Sequence, residues 1–450
     1  MNTVHFTGIK GEIFPVSVSA SASEAGFHLP FASKGESRES RVRIRSSFIE
    51  TGLSFPVSVT GECEHPLRGC SMDLPIALAI LIAQGEIEAG PFENAVVIGE
   101  LSLSGNVRPV RGAYVAAKAA KAAGKAIFCA RSNARECALS GAAVVPVDTL
   151  AEVVKYGKGL WKLPVAPESL PTRNGKALDM LDIIGQEKGK RAMQVAALGG
   201  HNVMLTGPPG AGKTMLARRF PALLGPLTET EKDEMLSVYS IAGLLDAEHL
   251  ESPHRPFRAP HHTISDVGLL GSRPGRAQTA RPGELTLAHA GVLFLDEWPE
   301  FRKHVIESLA GPVKAGKTIL SSTTASVTFP ARTALVASMN SCPCGGVTEC
   351  HCAPEFIERY RTRHATDSFD IWVDLPRVSY REIKELSKGA STATLLEGIE
   401  AAKAFRASQP EREPATTPVE RVARTIADLD ASEEVTEKHI AEASTLTCPW

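Results

Sequence analysis

Short apolar runs alternate with stretches of helical periodicity along most of the chain. Up to about residue 160, FPVSVS, FPVSVT and AVVIGELSL read as strands, while DLPIALAILIAQ and GAYVAAKAAKAAGKA read as helices, a mixed α/β pattern that predicts one domain over residues 1–164. Residues 165–177, VAPESLPTRNGKA, mix Pro, Gly, Ser and Asn without an apolar period and read as an exposed linker. A second domain is expected over 178–375. There IIGQEKGKRAMQVAALGG predicts a helix, and HNVMLTG, GVLFLDE and TALVASMN predict strands. Strands separated by helices imply a largely parallel sheet, with its sites at the carboxyl ends of the strands. Residues 376–450 turn helical through SYREIKELSKG, ATLLEGIEAAKAFRA, VERVARTIADLDA and EKHIAEAS, interrupted by QPEREPATTP, and read as a small helical lid.

The length of 450 residues is more than one core supports and agrees with two or three domains. A net charge of −2 says little about partners, so nucleic-acid binding would have to come from a local basic patch. The start, MNTVHFTGIKGEIF, has neither a basic nor an apolar leader region, and no run reaches the roughly 18 apolar residues that span a bilayer. A cytoplasmic protein with no membrane segment is expected. Nine cysteines do not form a secreted disulfide framework.

The strongest chemical signal is GPPGAGKT, residues 207–214, standing between a predicted strand and a predicted helix. Gly207, Pro208, Pro209, Gly210, Ala211 and Gly212 form a loop whose backbone N–H groups can curl around a phosphate. Lys213 supplies a point charge and Thr214 a magnesium ligand. The strand GVLFLDE ends in Asp296, expected near the magnesium, and Glu297, expected to polarise a water. TALVASMN ends at Asn340, whose amide can hold the attacking water near a γ-phosphate. Together these residues predict an ATPase core using ATP and Mg2+.

Directly after that strand, Cys342, Cys344, Cys350 and Cys352 stand as C-x-C-x5-C-x-C around a Gly-Gly turn. A structural zinc with four thiolate ligands fits this set. Reduced thiols in a compact loop and a redox pair are the alternatives, and His351 can replace one thiol or stand by as a spectator. A metal clip here would stiffen the loop that follows Asn340. Residues 251–283 hold Arg255, Arg258, Arg273, Arg276 and Arg281 against only Glu251 and Asp266, which suggests a loop that tracks DNA phosphates; a solvated basic loop is the alternative.

The stretches DLPIALAIL, IGELSLSGNVRPVRG, IIGQEKGKRAMQVAALGGHNVMLTGPPGAGKTMLARRF, RPFRAPHHTIS, RPGELTLAHAGVLFLDEWPEF, MNSCPCG and VARTIADL, covering nearly all of the chain, resemble the ComM/YifB family of AAA+ proteins, relatives of the magnesium chelatase I subunit. The resemblance implies a P-loop AAA+ core with a parallel sheet, a Lon-protease-like N-terminal α/β domain and a C-terminal helical lid. It also implies a homo-hexameric ATP-driven motor that acts on branched DNA, promoting branch migration during natural transformation. Ser71 stands roughly where Lon has its nucleophile, but Tyr114 occupies the position of the partner lysine, so no protease activity is expected.

The chain departs from the family pattern in three places. RHATDSFD replaces the family block R-x-S-G-P-L-L-D-R-I-D, so the arginine that completes a neighbouring subunit's site appears as Ser368; Arg359, Arg361 and Arg363 are substitutes. Pro414 occupies the position of the second sensor arginine, with Arg412 and Arg421 nearest. LAGPVKAGKTILSS departs from L-R-Q-P-L-E. Beside the active motor stand two other readings: a nucleotide-binding subunit with little turnover outside a mixed ring, and a chelatase-type remodelling ATPase.

Overall fold

The computed structural model describes the chain apart from residues 22–25, 31–33, 64–71, 161–177, 247–248, 250–253, 274–279, 323–325, 346–349, 364–367, 379–388, 411–414 and 448–450. Strands β1 (Asn2–Thr7) and β2 (Lys10–Pro15) form an antiparallel pair. The run FPVSVS is divided at Val16, which follows the last β2 residue, Pro15, paired with Asn2, and donates its N–H to the Met1 carbonyl. β3 (Ser17–Ser21) then joins a second sheet in the order β3-β5-β4, with β4 (Gly26–His28) and β5 (Ser58–Glu62) separated by helix α1 (Lys34–Glu50). Helix α2 (Asp73–Ala83), nearly all apolar, is buried from Asp73 through Leu81.

The run AVVIGELSL is two strands. β6 (Ala95–Val97) lies in a three-stranded parallel sheet with β7 (Ala126–Ala130) and β8 (Val144–Val147), whereas Glu100–Leu101 pairs antiparallel with Val107–Arg108. Between them Gly99 lies so close to Val107 that a Cβ would meet its methyl at 2.8 Å. Helix α3 (Ala113–Ala122) connects to β7, and α4 (Leu150–Gly157), capped by the Thr149 hydroxyl, follows β8. Ile44, Phe48, Leu74, Ile76, Phe128 and Val147 share one apolar core.

The remainder is built on helix α5 (Glu187–Gly199), strand β9 (Val203–Thr206), and helices α6 (Lys213–Leu223) and α7 (Glu229–Ala242). Thr228 and Glu231 start α7 with a capping box, and Gly243 ends it in the left-handed conformation. β10 (Phe257–Arg258), β11 (Val292–Leu295), helix α8 (Lys303–Ala315), the hairpin β12 (Lys317–Ser321) and β13 (Ser326–Pro330), β14 (Ala334–Met339), helix α9 (Pro354–Arg361) and β15 (Ile371–Asp374) follow. Five of these strands form one parallel sheet in the order β10-β11-β14-β9-β15. All four residues of β11 are buried, as expected for a strand covered on both faces.

Helices α10 (Thr392–Ser408), α11 (Pro418–Leu429) and α12 (Glu437–Leu446) end the described chain. Their Leu395, Ile399, Val422, Ile426 and Leu446 share a core with Val203 and Ile371 of the sheet. A further cluster joins the first 157 residues to the rest: Tyr114 and Val115 of α3 pack with Met235 and Tyr239 of α7 and with Leu320, Val327 and Phe329 of the β12–β13 hairpin. At its edge the Asp233 carboxylate accepts from the Tyr114 hydroxyl at 2.9 Å and pairs with Lys118. Among the described residues, no helix is long and apolar enough to cross a membrane.

Candidate functional site

Three strands of the parallel sheet end side by side, and the chemistry gathers at their carboxyl ends. β9 runs into Gly207, where φ is +151° and a Cβ would lie 2.4 Å from the Leu375 carbonyl oxygen, so only glycine fits. Gly212, at φ +92°, turns the loop into α6 and leaves Lys213 on its first turn. The Lys213 side chain is 9% exposed, and its Nζ donates to Gly207 O at 2.6 Å, Pro208 O at 3.1 Å and Asn340 Oδ1 at 3.1 Å. Burial lowers the pKa of this ammonium, while Asp296, Asp374 and Glu297 pull it back up. No carboxylate among the described residues lies within ion-pair distance of it, so a buried cation faces neutral oxygens, an arrangement that favours an incoming anion.

β11 and β14 pair so that Leu295 lies opposite Ala337, which sets Asp296 beside Ser338. Asp296 accepts from the Ser338 hydroxyl through Oδ1 and from the Thr214 hydroxyl through Oδ2 at 3.2 Å. Hydroxyl and carboxylate oxygens meeting at the foot of a phosphate loop suit a small hard cation such as Mg2+. The next residue, Glu297, has φ +57°, a left-handed backbone that costs a non-glycine residue about 1–3 kcal/mol. That turn brings its half-exposed carboxylate to the mouth of the site, with Oε2 3.2 Å from His262 Nδ1. The cavity so formed has a volume of about 360 Å³ and is lined by Gly210, Lys213, Thr214, Asp296, Glu297 and Asn340, among others. On the loop's other side Gln186 Nε2 donates to Ala211 O at 3.0 Å and to Pro376 O at 2.6 Å, tying the loop to the chain leaving β15.

Immediately beyond Asn340 the Sγ atoms of Cys342, Cys344, Cys350 and Cys352 all lie within 4.8 Å of one another, and His351 is not part of the group. Tetrahedral zinc with bonds of about 2.3 Å needs sulfurs about 3.8 Å apart; Cys344–Cys350 at 3.7 Å and Cys350–Cys342 at 3.4 Å are near that spacing, while Cys342–Cys344 at 2.9 Å would have to open to reach it. Desolvation, then the hydrogen bonds with Cys344 and Cys350, push the Cys342 thiol up to about 12. Arg361 Nε donates to Ser341 O at 2.9 Å, fastening α9 to the start of this loop.

Several arginines stand elsewhere than their sequence context suggested. Arg255 donates to the carbonyls of Gly225, Pro226 and Ala290 and pairs with Glu231, and Arg258 forms a two-pronged ion pair with Glu284. Both hold the fold together and are not available for phosphates. Arg273 and Arg281 are exposed on or beside a short antiparallel pair, Gly271–Ser272 with Arg281–Pro282; Arg276 lies outside the described residues. Arg421 is not at the nucleotide loop: it pairs with Asp370, at the amino end of β15, the opposite end of the sheet from the cavity. There burial opposes ionisation of Asp370, but hydrogen bonds from His201 and Arg421 hold its carboxyl below its usual range.

Arg359 and Arg363 are exposed, and Ser368 O accepts from Asn202 Nδ2 at 2.8 Å. Arg412, Pro414, Ser71 and the linker 165–177 lie outside the described residues. Tyr114 is buried with its hydroxyl on Asp233. Sequence reading missed Ser338, Gln186 and His262. Ser338 and Gln186 belong to no spacing rule, and only the paired histidines of RAPHHTIS mark His262.

Residues 179–383 match the family "Magnesium chelatase, subunit ChlI", residues 16–133 match "Subunit ChlI of Mg-chelatase", and residues 414–446 match the C-terminal part of that subunit. The YifB protein of Salmonella typhimurium is 36% identical over 454 residues, covering 90% of this chain and 88% of that protein. The competence protein ComM of Haemophilus influenzae is 35% identical over 408 residues, 87% of this chain and 79% of its own. Lon protease 2 of Bacillus subtilis is 34% identical over 122 residues, 26% of this chain and 21% of that protein.

Gly207→Ala tests the loop geometry. The added methyl meets the Leu375 carbonyl, and strain of about 1–3 kcal/mol predicts a loss of ATP affinity on the order of tenfold or more, read by titration with a fluorescent ATP analogue. Unchanged affinity would show that the loop does not carry the phosphates.

Proposed function

The chain belongs to the ComM and YifB family of magnesium-chelatase-related AAA+ proteins, and from that premise we propose that it is an ATP-driven motor on branched DNA. Its task in this reading is branch migration while incoming strands are integrated in natural transformation. The observation that carries the ATPase is the meeting of Lys213, Thr214, Asp296, Glu297 and Asn340 on one cavity. In the proposed mechanism the loop of Gly207, Pro208, Pro209, Gly210, Ala211 and Gly212 wraps the β-phosphate, and Lys213 exchanges its carbonyl partners for phosphate oxygens. Thr214 and Asp296 would hold Mg2+, which would supply neutralising charge to the phosphates. Asn340 orients the attacking water, and Glu297 takes its proton as the water oxygen bonds to the γ-phosphorus and the bond to the β–γ bridging oxygen breaks, releasing phosphate and ADP.

We assign residues 1–164 to a Lon-like domain without protease activity, 165–177 to a linker, 178–375 to the ATPase core and 376–450 to a helical lid. Loss of proteolysis is supported by Tyr114, whose hydroxyl is committed to Asp233. The working assembly is a homo-hexamer in the cytoplasm. Lys213 is the one cation among the described residues that line the cavity, so a neighbouring subunit supplies the second, for which Arg359 and Arg363 are exposed. Arg273 and Arg281 contact DNA phosphates without reading sequence. Cys342, Cys344, Cys350 and Cys352 hold a structural zinc.

A second reading, a nucleotide-binding subunit with slow turnover outside a mixed ring, is favoured by one observation: Arg421 is tied to Asp370 and cannot act at the phosphates. Steady-state ATP hydrolysis with and without branched DNA separates the two. The motor predicts DNA-stimulated turnover that falls by about 10²–10⁴-fold in Glu297→Gln while ATP binding persists. Tight binding with no turnover in the unaltered chain would establish the second reading instead. For the clip, elemental analysis of the purified protein should find one zinc per chain, lost in Cys344→Ser; a zinc-free chain whose four cluster thiols, among the nine cysteines, are all free to titrate would refute it.

A further inference from the structure

Helix α1 carries Arg38, Arg41, Arg43 and Arg45, and the four are not equivalent. Arg43 is turned into the protein, where its Nε donates to Asp73 Oδ2 at 2.6 Å and its Nη2 to Oδ1 at 3.3 Å, against a carboxylate with no exposure. Arg38, Arg41 and Arg45 have no hydrogen-bond or ion-pair partner among the described residues, and neither does Lys34.

Helical geometry sorts the charges further. The buried residues Ser40, Ile44, Ser47 and Phe48 define the inner face. At 3.6 residues per turn, Lys34, Arg38, Arg41 and Arg45 fall within about 60° of one another on one flank of that face. Next to them, turned further outward, are Val42 and Ile49, which are 51% and 64% exposed. The acids of the helix, Glu36, Glu39 and Glu50, fall on the opposite flank with Arg43, and Glu39 pairs with Arg43. The first flank is therefore a stripe of cations undiluted by carboxylates of the same helix, running about 16 Å from Lys34 to Arg45 at 1.5 Å per residue.

We propose that this stripe of α1 is a second DNA-backbone site, separate from the nucleotide cavity and from Arg273 and Arg281. The inference rests on the DNA reading above. Duplex DNA presents one negative charge per roughly 1.7 Å of axis, so four cations spread along about 16 Å always meet phosphates whatever the sequence. The stripe holds no aromatic side chain on which bases could stack, so it positions a duplex and reads nothing from it. Val42 and Ile49 lie where they can cover the sugar edges between phosphate contacts.

The test uses the full chain and a labelled duplex of arbitrary sequence, with binding measured across a range of NaCl concentrations. Each phosphate contact contributes about 0.9 to the slope of log affinity against log salt. Replacing Lys34, Arg38, Arg41 and Arg45 together by glutamine should make the slope shallower by about 3 and weaken binding at low salt by on the order of 10²-fold. Thermal unfolding should not change, since none of the four side chains has a partner among the described residues. Lysine at 38, 41 and 45 should restore the slope. If the unaltered chain binds duplex and the glutamine variant keeps its slope, α1 is not a DNA site while the motor reading stands. If the unaltered chain binds no DNA, both fall.

Discussion

A single ammonium group holds the site together. Lys213 is nearly buried, yet its hydrogen bonds go to two backbone carbonyls and one amide, none of which carries a charge to offset its own. A cation so placed is held by geometry, with the Asp296, Asp374 and Glu297 carboxylates acting on it only from beyond ion-pair distance, which in the proposed function suits it to an incoming phosphate. The same bonds link the end of β9 to the end of β14. Thr214 and Ser338 then bind the Asp296 carboxylate from either side, which brings in the end of β11. Three strand ends are thus fixed relative to one another by side chains that also form the walls of the cavity.

That arrangement gives the nucleotide site two routes outward. Asn340 is followed at once by Ser341, whose carbonyl receives Arg361 of α9, and by Cys342 of the thiol cluster. A change at the Lys213–Asn340 bond is therefore felt first by the cysteine loop and α9. On the other side, β14 is preceded by the β12–β13 hairpin, one face of which packs against α3 and α7. Asp233 ties that contact to Tyr114 and Lys118, so the N-terminal residues rest on elements that lead directly into the site.

The phosphate loop, the acidic end of β11 and the strand ending at Asn340 were legible because each is a local pattern: an apolar run followed by a fixed set of polar residues. The strand order β10-β11-β14-β9-β15 was not, since it depends on pairings between residues far apart in the chain. The arginines show the same limit. Arg255 and Arg258 lie in a basic segment, but their partners Glu231 and Glu284 come from outside the immediate run of residues, so counting local charge mistook two structural ion pairs for a phosphate-binding surface. Arg421 stands directly before VARTIADL, near the position Pro414 occupies, yet Asp370 draws it to the far end of the sheet. Ser338 reaches the site through its bond to Asp296 and His262 through its contact with Glu297, with no spacing to announce either.

The Lys213–Asn340 bond makes nucleotide at Lys213 felt beyond Asn340. Hydrogen–deuterium exchange over residues 336–361, measured on the full chain with and without a non-hydrolysable ATP analogue, tests this most directly. Protection that spreads from the end of β14 through Ser341 into α9 is the predicted result. Protection confined to residues 207–214, with residues 341–361 unchanged, would contradict it.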